Sequence, residues 1–89
     1  MSVTKDITTE NDFSDPLMVC AGYFSISVQG TFVGKVTLQK TYDETNWRDV
    51  EVFTSSGEHY GLEPEGSKYR IGIKTGDYNS GSVKVRLGV

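Results

Sequence analysis

The sequence predicts an all-β fold, a small antiparallel β-sandwich of jelly-roll-like type with seven or eight short strands. Five segments alternate apolar and polar residues with period 2, which is typical of half-buried strands. Turn signals rich in Gly, Asn and Asp separate these segments, and the chain contains ten glycines. No stretch keeps the 3.6-residue period of a helix over two turns, and the 89 residues correspond to one domain.

The alternating segments define a candidate core, because every second residue of a half-buried strand faces inward. Polar residues occupy the intervening positions, as Ser25, Ser27 and Gln29 do in the first segment. The predicted inward residues are Phe24, Ile26, Val28, Val36, Leu38, Val50, Val52, Tyr69, Ile71, Ile73, Val83, Val85 and Leu87.

Three weaker patterns predict further strands. Residues 3–8 read as an edge strand, and residues 16–20 form an apolar run whose leading Pro16 suits a strand start. Residues 56–62 predict a short strand that ends near Pro64.

The N-terminal segment is expected to be an arm. Residues 9–15 form an acidic, polar link, so we divide the chain into an arm or edge strand at 1–15 and a sandwich domain at 16–89. Val3 and Ile7 carry little apolar area for a strand that packs on its own domain. They are therefore candidate contacts to a neighbouring subunit or partner.

Composition limits the classes of function. The net charge of −3 and the pI of about 5.0 argue against nucleic-acid binding, which needs a basic surface. No apolar run reaches the length of a membrane span, and the N-terminus lacks signal-peptide features. We therefore expect a protein kept in the cytoplasm or used in a particle assembled there. Small domains that lack disulfides or a structural metal often gain stability by assembling with other chains.

No residue set predicts catalysis, a cofactor or a metal site. His59, the single histidine, has no nucleophile or carboxylate at a suggestive spacing, so we expect it to be solvated. Cys20 follows an apolar run and is expected to be a small buried hydrophobe. Glu63 and Glu65 flank Pro64, but calcium needs more oxygen ligands, so solvated turn charges are the expectation. We therefore expect that this protein is not an enzyme.

A structural turn is predicted at residues 41–47. This segment resembles the Asp-box hairpin, in which an Asp accepts hydrogen bonds from turn amides and a Trp packs beneath the hairpin. Asp43 and Trp47 would fill these roles. The loop is one residue shorter than the motif and lacks its Gly, so the match is partial.

Four cations alternate with core positions on the last two predicted strands. Arg70 and Lys74 point outward on one strand, and Lys84 and Arg86 on the other. If the two strands share a sheet, the four side chains form one basic face. That face would dock an acidic partner surface, or it would protect the sheet from unwanted edge pairing.

The aromatic residues leave a sugar-binding platform open as an alternative. Trp47 and Tyr69 are assigned to the turn and the core, so only Tyr60 and Tyr78 remain free to stack on a sugar ring.

Four segments together resemble a family of small bacteriophage and prophage proteins. The first is Gly-Thr-Phe-Val-Gly-Lys-Val-Thr-Leu-Gln-Lys at 30–40, and the second is Trp-Arg-Asp-Val at 47–50. A Tyr-Arg-containing segment follows at 61–71, and Ser-Gly-Ser-Val-Lys-Val-Arg-Leu closes the pattern at 80–87. The likeness covers about residues 22–88. Lys40-Thr41 stands where the family pattern has Arg-Ser.

The resemblance implies a virion structural protein, most directly a capsid decoration or cement protein with a jelly-roll-like β-sandwich. The implied partner is the major capsid protein or another virion protein, with neither nucleic acid nor membrane as a ligand. A homotrimer at local symmetry axes is one assembly that this role allows. The implied location is the virion, assembled in the cytoplasm of a bacterial host. A carbohydrate- or receptor-binding module of the tail and a head–tail connector subunit remain the alternatives.

Overall fold

Seven antiparallel strands and no helix make up the computed structural model, which describes residues 1–89. The strands are β1 (Ser2–Ile7), β2 (Asp12–Phe13), β3 (Leu17–Gly34), β4 (Val36–Thr41), β5 (Arg48–Phe53), β6 (Gly57–Ile73) and β7 (Tyr78–Gly88). Their order in the sheet is β1-β7-β3-β6-β4-β5, and β2 pairs with β6. The predicted all-β, antiparallel sandwich is confirmed.

One continuous sheet supplies both layers, because its two longest strands take part in both. The first half-sheet contains β1, β7, residues 22–34 of β3 and residues 57–63 of β6. The second contains β2, residues 17–20 of β3, residues 66–73 of β6, β4 and β5. Segments predicted as separate short strands therefore join into strands of 18 and 17 residues.

The β3–β6 ladder is irregular where the two half-sheets join. Its register shifts between Cys20 and Gly22, which is the mark of a bulge. Gly22 and Gly66 have φ angles of 134° and 146°, a region that a residue with a Cβ rarely adopts. Pro64 lies within β6 at the irregular point of its ladder with β3, so the proline does not end the strand, contrary to the prediction.

Fifteen apolar side chains from both half-sheets form one buried cluster. The predicted core positions within it are Phe24, Ile26, Val28, Val36, Leu38, Tyr69, Ile71, Ile73, Val83, Val85 and Leu87. Ile7, Leu17, Val19 and Phe53 complete it. The alternation pattern thus identified the inward face of four strands correctly.

The predicted burial of Val50 and Val52 is wrong, since both side chains are about half exposed. β5 is the last strand of the sheet, and a shift in its register with β4 leaves Val50 as an extra residue. Val52 lies opposite Thr37 on the outer side, and Phe53 faces the core instead.

The N-terminal segment forms the edge strand predicted at residues 3–8, and it pairs within the chain and not as an arm with a neighbouring subunit. β1 pairs with β7 of the same chain over its whole length, from Ser2 opposite Gly88 to Ile7 opposite Val83. Ile7 is fully buried in the chain's own core, and Val3 packs against that core. β1 is therefore an edge strand of the folded domain, in which Ile7 is a core residue and Val3 is half-buried.

Candidate binding face

The Asp43 turn is held by hydrogen bonds within the turn itself. Oδ1 of Asp43 accepts the backbone N–H groups of Thr45 at 2.9 Å and Asn46 at 2.8 Å. Oγ1 of Thr41 accepts the N–H groups of Asp43 and Glu44. The bonds from Asn46 and Thr45 stabilise the carboxylate, so they hold the pKa of Asp43 well below its usual range. Asp43 thus has a local structural role.

Trp47 lies on the outer face of the second half-sheet and not in the core beneath the turn. Its side chain is only half-buried, and its ring packs against the guanidinium of Arg70, whose Cζ is 4.3 Å from the ring centroid. The ring of Phe13 lies at the same distance from that Cζ. Arg70 therefore makes cation–π contacts with two aromatic rings.

A polar network continues from this stack. Nε of Arg70 donates to Oε1 of Gln39 at 2.9 Å, and Nε2 of Gln39 donates to Oδ1 of Asp49 at 2.8 Å. Lys74 donates to Oδ2 of the same aspartate at 2.7 Å, and this bond lowers the pKa of Asp49. Arg70 and Lys74, two of the four cations predicted to dock a partner, thus have partners within the chain.

Lys84 and Arg86 lie on the other half-sheet, so the structure does not bring the four cations into one face. β7 carries them, and β3 separates β7 from β6. Lys84 is 3.9 Å from a carboxylate oxygen of Asp6, and both side chains are largely exposed. Arg86 donates to Oγ of Ser25 at 3.3 Å and has no carboxylate within ion-pair distance.

An exposed apolar cluster occupies the same face as Arg86. We define the aromatic patch as Tyr23, Tyr60 and Leu62, which are 70%, 76% and 58% exposed. Tyr23 lies opposite Leu62 on the β3–β6 ladder, and the two tyrosine rings meet edge-to-face with centroids 5.8 Å apart. Ser25 lies opposite Tyr60 and so separates the patch from Arg86.

Alternation explains why this patch is outside. Phe24 faces the core, so its neighbours Tyr23 and Ser25 point outward. Tyr60 was predicted from the sequence to be free, but Tyr23 and Leu62 were not. Tyr78, the other aromatic predicted to be free, is half-buried, and its hydroxyl donates to the Gly81 carbonyl at 2.8 Å.

Glu63 is buried, contrary to the expectation of a solvated turn charge, and is only 1% exposed. The Tyr69 hydroxyl donates to Oε1 at 2.7 Å, and the N–H groups of Glu65 and Gly66 donate to Oε2 at 2.9 Å. Nζ of Lys40 lies 3.5 Å from Oε1. Burial alone would raise the pKa of Glu63, but these contacts outweigh it and lower the pKa to about 2.

Of the two remaining candidate residues, Cys20 differs from its expectation and His59 does not. Cys20 is exposed, so its predicted burial is wrong, because Val19 takes the inward position before the bulge. His59 is exposed as expected, but its ring stacks on Phe53 with centroids 4.5 Å apart. No group of three His, Cys, Asp or Glu side chains is placed to hold a metal ion.

Comparison with protein-family models, curated proteins and solved structures finds no match to the chain. The structure has no helix long and apolar enough to cross a membrane.

Proposed function

We propose that this protein is a bacteriophage virion structural protein, a decoration (cement) protein that binds the outer shell of the capsid and stabilises it. The observation that carries the proposal is the aromatic patch, whose three large apolar side chains lie together on an outer sheet face. Contiguous exposed apolar groups on a small domain mark interaction sites.

The composition of the patch suits a protein partner. Tyrosine is enriched among the residues that contribute most to binding at protein interfaces, because it combines a large rigid ring with a hydroxyl. Arg86 and Lys84 lie on the same outer face, and their positive charge suits an acidic shell surface. These charges would speed association and fix orientation more than they add affinity.

A contact made by a patch of only three large side chains can be weak and still hold a shell protein on a capsid. Many copies on one particle act together when each copy also touches its neighbours, so multivalency multiplies a modest affinity. The partner is inferred from the sequence pattern, since four of its segments resemble phage virion proteins. Under this proposal the partner is the major capsid protein.

Copy number in purified particles tests the proposal. Particles of the phage that carries the gene would be purified, and the protein quantified against the major capsid protein by mass spectrometry. We expect a ratio between about one to three and one to one, as repeated binding across a shell requires. A few copies per particle would place the protein in the tail or connector, and absence from particles would contradict a virion role.

A carbohydrate- or receptor-binding module of the tail is the second candidate. The edge-to-face pair of Tyr23 and Tyr60 favours it, because exposed tyrosine rings can stack on sugar faces. Glu58 and Arg86 lie nearby as hydrogen-bonding groups. Binding to a glycan array that is lost in Tyr60→Ala, together with low copy number, would select this candidate.

A further inference from the structure

Three of the sheet's unpaired strand edges differ in how they are protected. β1 carries Lys5 and Asp6, and β5 carries a bulge and several charges. Residues 57–62 of β6 pair with β3 on one side only, and their single formal charge is Glu58. This stretch contains neither lysine nor proline, the usual devices that prevent edge pairing. We call residues 57–62 the open edge.

The hydrogen-bond pattern shows which backbone groups of the open edge are free. Met1 and Val89 exchange both backbone hydrogen bonds, so they form a hydrogen-bonded pair. Such pairs alternate with non-hydrogen-bonded pairs along an antiparallel ladder. The same alternation, followed from Val89 across β7 and β3, places the backbone N–H and C=O of His59 toward β3. It places those of Glu58, Tyr60 and Leu62 away from β3. These three residues therefore present their N–H and C=O groups at the open edge.

A cleft of about 200 Å³ lies beside the open edge, between β5 and β6. Ile26, Phe53 and His59 form part of its wall. Glu51 and Glu58 line it as well, and neither carboxylate takes part in an ion pair, although Oε2 of Glu58 accepts a hydrogen bond from the Ser27 hydroxyl at 2.6 Å. The cleft thus combines room for a side chain with two carboxylates that have no cationic partner, of which Glu58 is hydrogen-bonded and Glu51 is not.

We propose that the open edge binds an extended segment of a partner protein that carries Lys or Arg, which adds to the sheet as one more strand. The free groups of Glu58, Tyr60 and Leu62 would form the main-chain hydrogen bonds, and the partner's cationic side chains would meet Glu51 and Glu58. This inference rests on the strand edge and the cleft, and it does not depend on a role in a virion.

Two synthetic hexapeptides test the proposal on the 89-residue chain. One has the sequence Thr-Lys-Val-Lys-Val-Thr, and the other has Glu in place of both lysines. Amide hydrogen exchange is followed by NMR. When the Lys peptide fills about nine-tenths of the sites, exchange at Glu58, Tyr60 and Leu62 should slow about tenfold, because exchange needs the free edge. The Glu peptide should bind about tenfold or more weakly, through like-charge repulsion.

A matched pair of variants isolates the backbone contribution. Tyr60→Ala and Tyr60→Pro both lose the ring, but only the proline loses an N–H that points away from β3. Proline should reduce affinity for the Lys peptide about fivefold relative to alanine, the value of one net hydrogen bond. If the proline variant does not fold, Glu51→Lys with Glu58→Lys serves instead, and it should prefer the Glu peptide.

Three results would overturn the proposal. Neither peptide binding, or both binding equally, would show that the edge does not select a cationic strand. Slowing of the three amides with rising protein concentration, in the absence of peptide, would show that the occupant is a second copy of this chain.

Discussion

The two outer faces of the sandwich carry similar residue types but use them differently. On the second half-sheet, Arg70 packs against Phe13 and Trp47 and hydrogen-bonds Gln39, which links it to Asp49 and Lys74. On the first half-sheet, the aromatic patch and Arg86 have almost no such partners. An outward cation or ring is therefore a binding candidate only where the fold supplies no partner for it.

The buried Glu63 lies beside the junction of the two half-sheets, and its carboxylate is the centre of a hydrogen-bond network there. Glu63→Gln removes the charge that Lys40, Tyr69 and two backbone N–H groups stabilise. We expect the free energy of unfolding to fall by about 2–3 kcal/mol, since a buried charged hydrogen-bond network loses its centre. Urea denaturation measures this.

Glu65→Gln is the matched control, because Glu65 is exposed and its side chain makes no hydrogen bond or ion pair. Its effect should stay within about 0.5 kcal/mol. Equal effects of the two substitutions would mean that the buried carboxylate is not what holds the junction.

The same carboxylate predicts a pH dependence of stability. The pKa of Glu63 is about 2 in the folded chain against an ordinary value of 4.5, so its contribution is full above pH 4.5. As the pH falls from 4.5 toward 2, protons bind the unfolded chain first, and this part of the stability is lost. In Glu63→Gln the dependence of stability on pH should be clearly weaker across that range, and Asp43 and Asp49, whose pKa values are also lowered, supply what remains. A slope of the same size in both proteins would assign the acid sensitivity to other groups.

Substituting one arginine on each face tests the comparison itself. Arg70→Ala removes a half-buried guanidinium from between two rings and leaves Gln39 without its donor. We expect a loss of about 2 kcal/mol, through packing as well as charge. Arg86→Ala removes only one long hydrogen bond, so its effect should be below about 0.5 kcal/mol. Similar losses for both would remove the distinction between the faces.

Trp47→Ala should have a smaller effect than truncation of a core aromatic. The ring is half-buried on an outer face, so we expect a loss of about 1–2 kcal/mol from packing and the cation–π contact. Truncating a core aromatic costs about 3–5 kcal/mol, so Phe24→Ala is the reference. Thermal unfolding measures both variants. If the two substitutions reduced stability equally, Trp47 would be a core residue and the outer-face assignment would be wrong.

The sequence predicted what depends on local periodicity and missed what depends on distant partners. Ile71 and Val85 were identified as core residues because alternation alone decides which side of a strand is inward. Val50 was misassigned because a bulge at the sheet edge breaks that alternation. The burial of Glu63 and the stacking of Arg70 depend on residues brought together only by folding, and no local pattern encodes them.

The most direct test of the binding face is occupancy of purified capsids by the variant Tyr23→Ser with Tyr60→Ser. Both side chains are exposed, so the melting temperature should stay within a few degrees of the unsubstituted chain. Binding of each protein to particles stripped of it would be measured by sedimentation, with Lys74→Ser as a control on the opposite face. The account predicts that the double variant loses most of its occupancy while Lys74→Ser keeps it. Full occupancy by a folded double variant would contradict the assignment of the aromatic patch as the binding face.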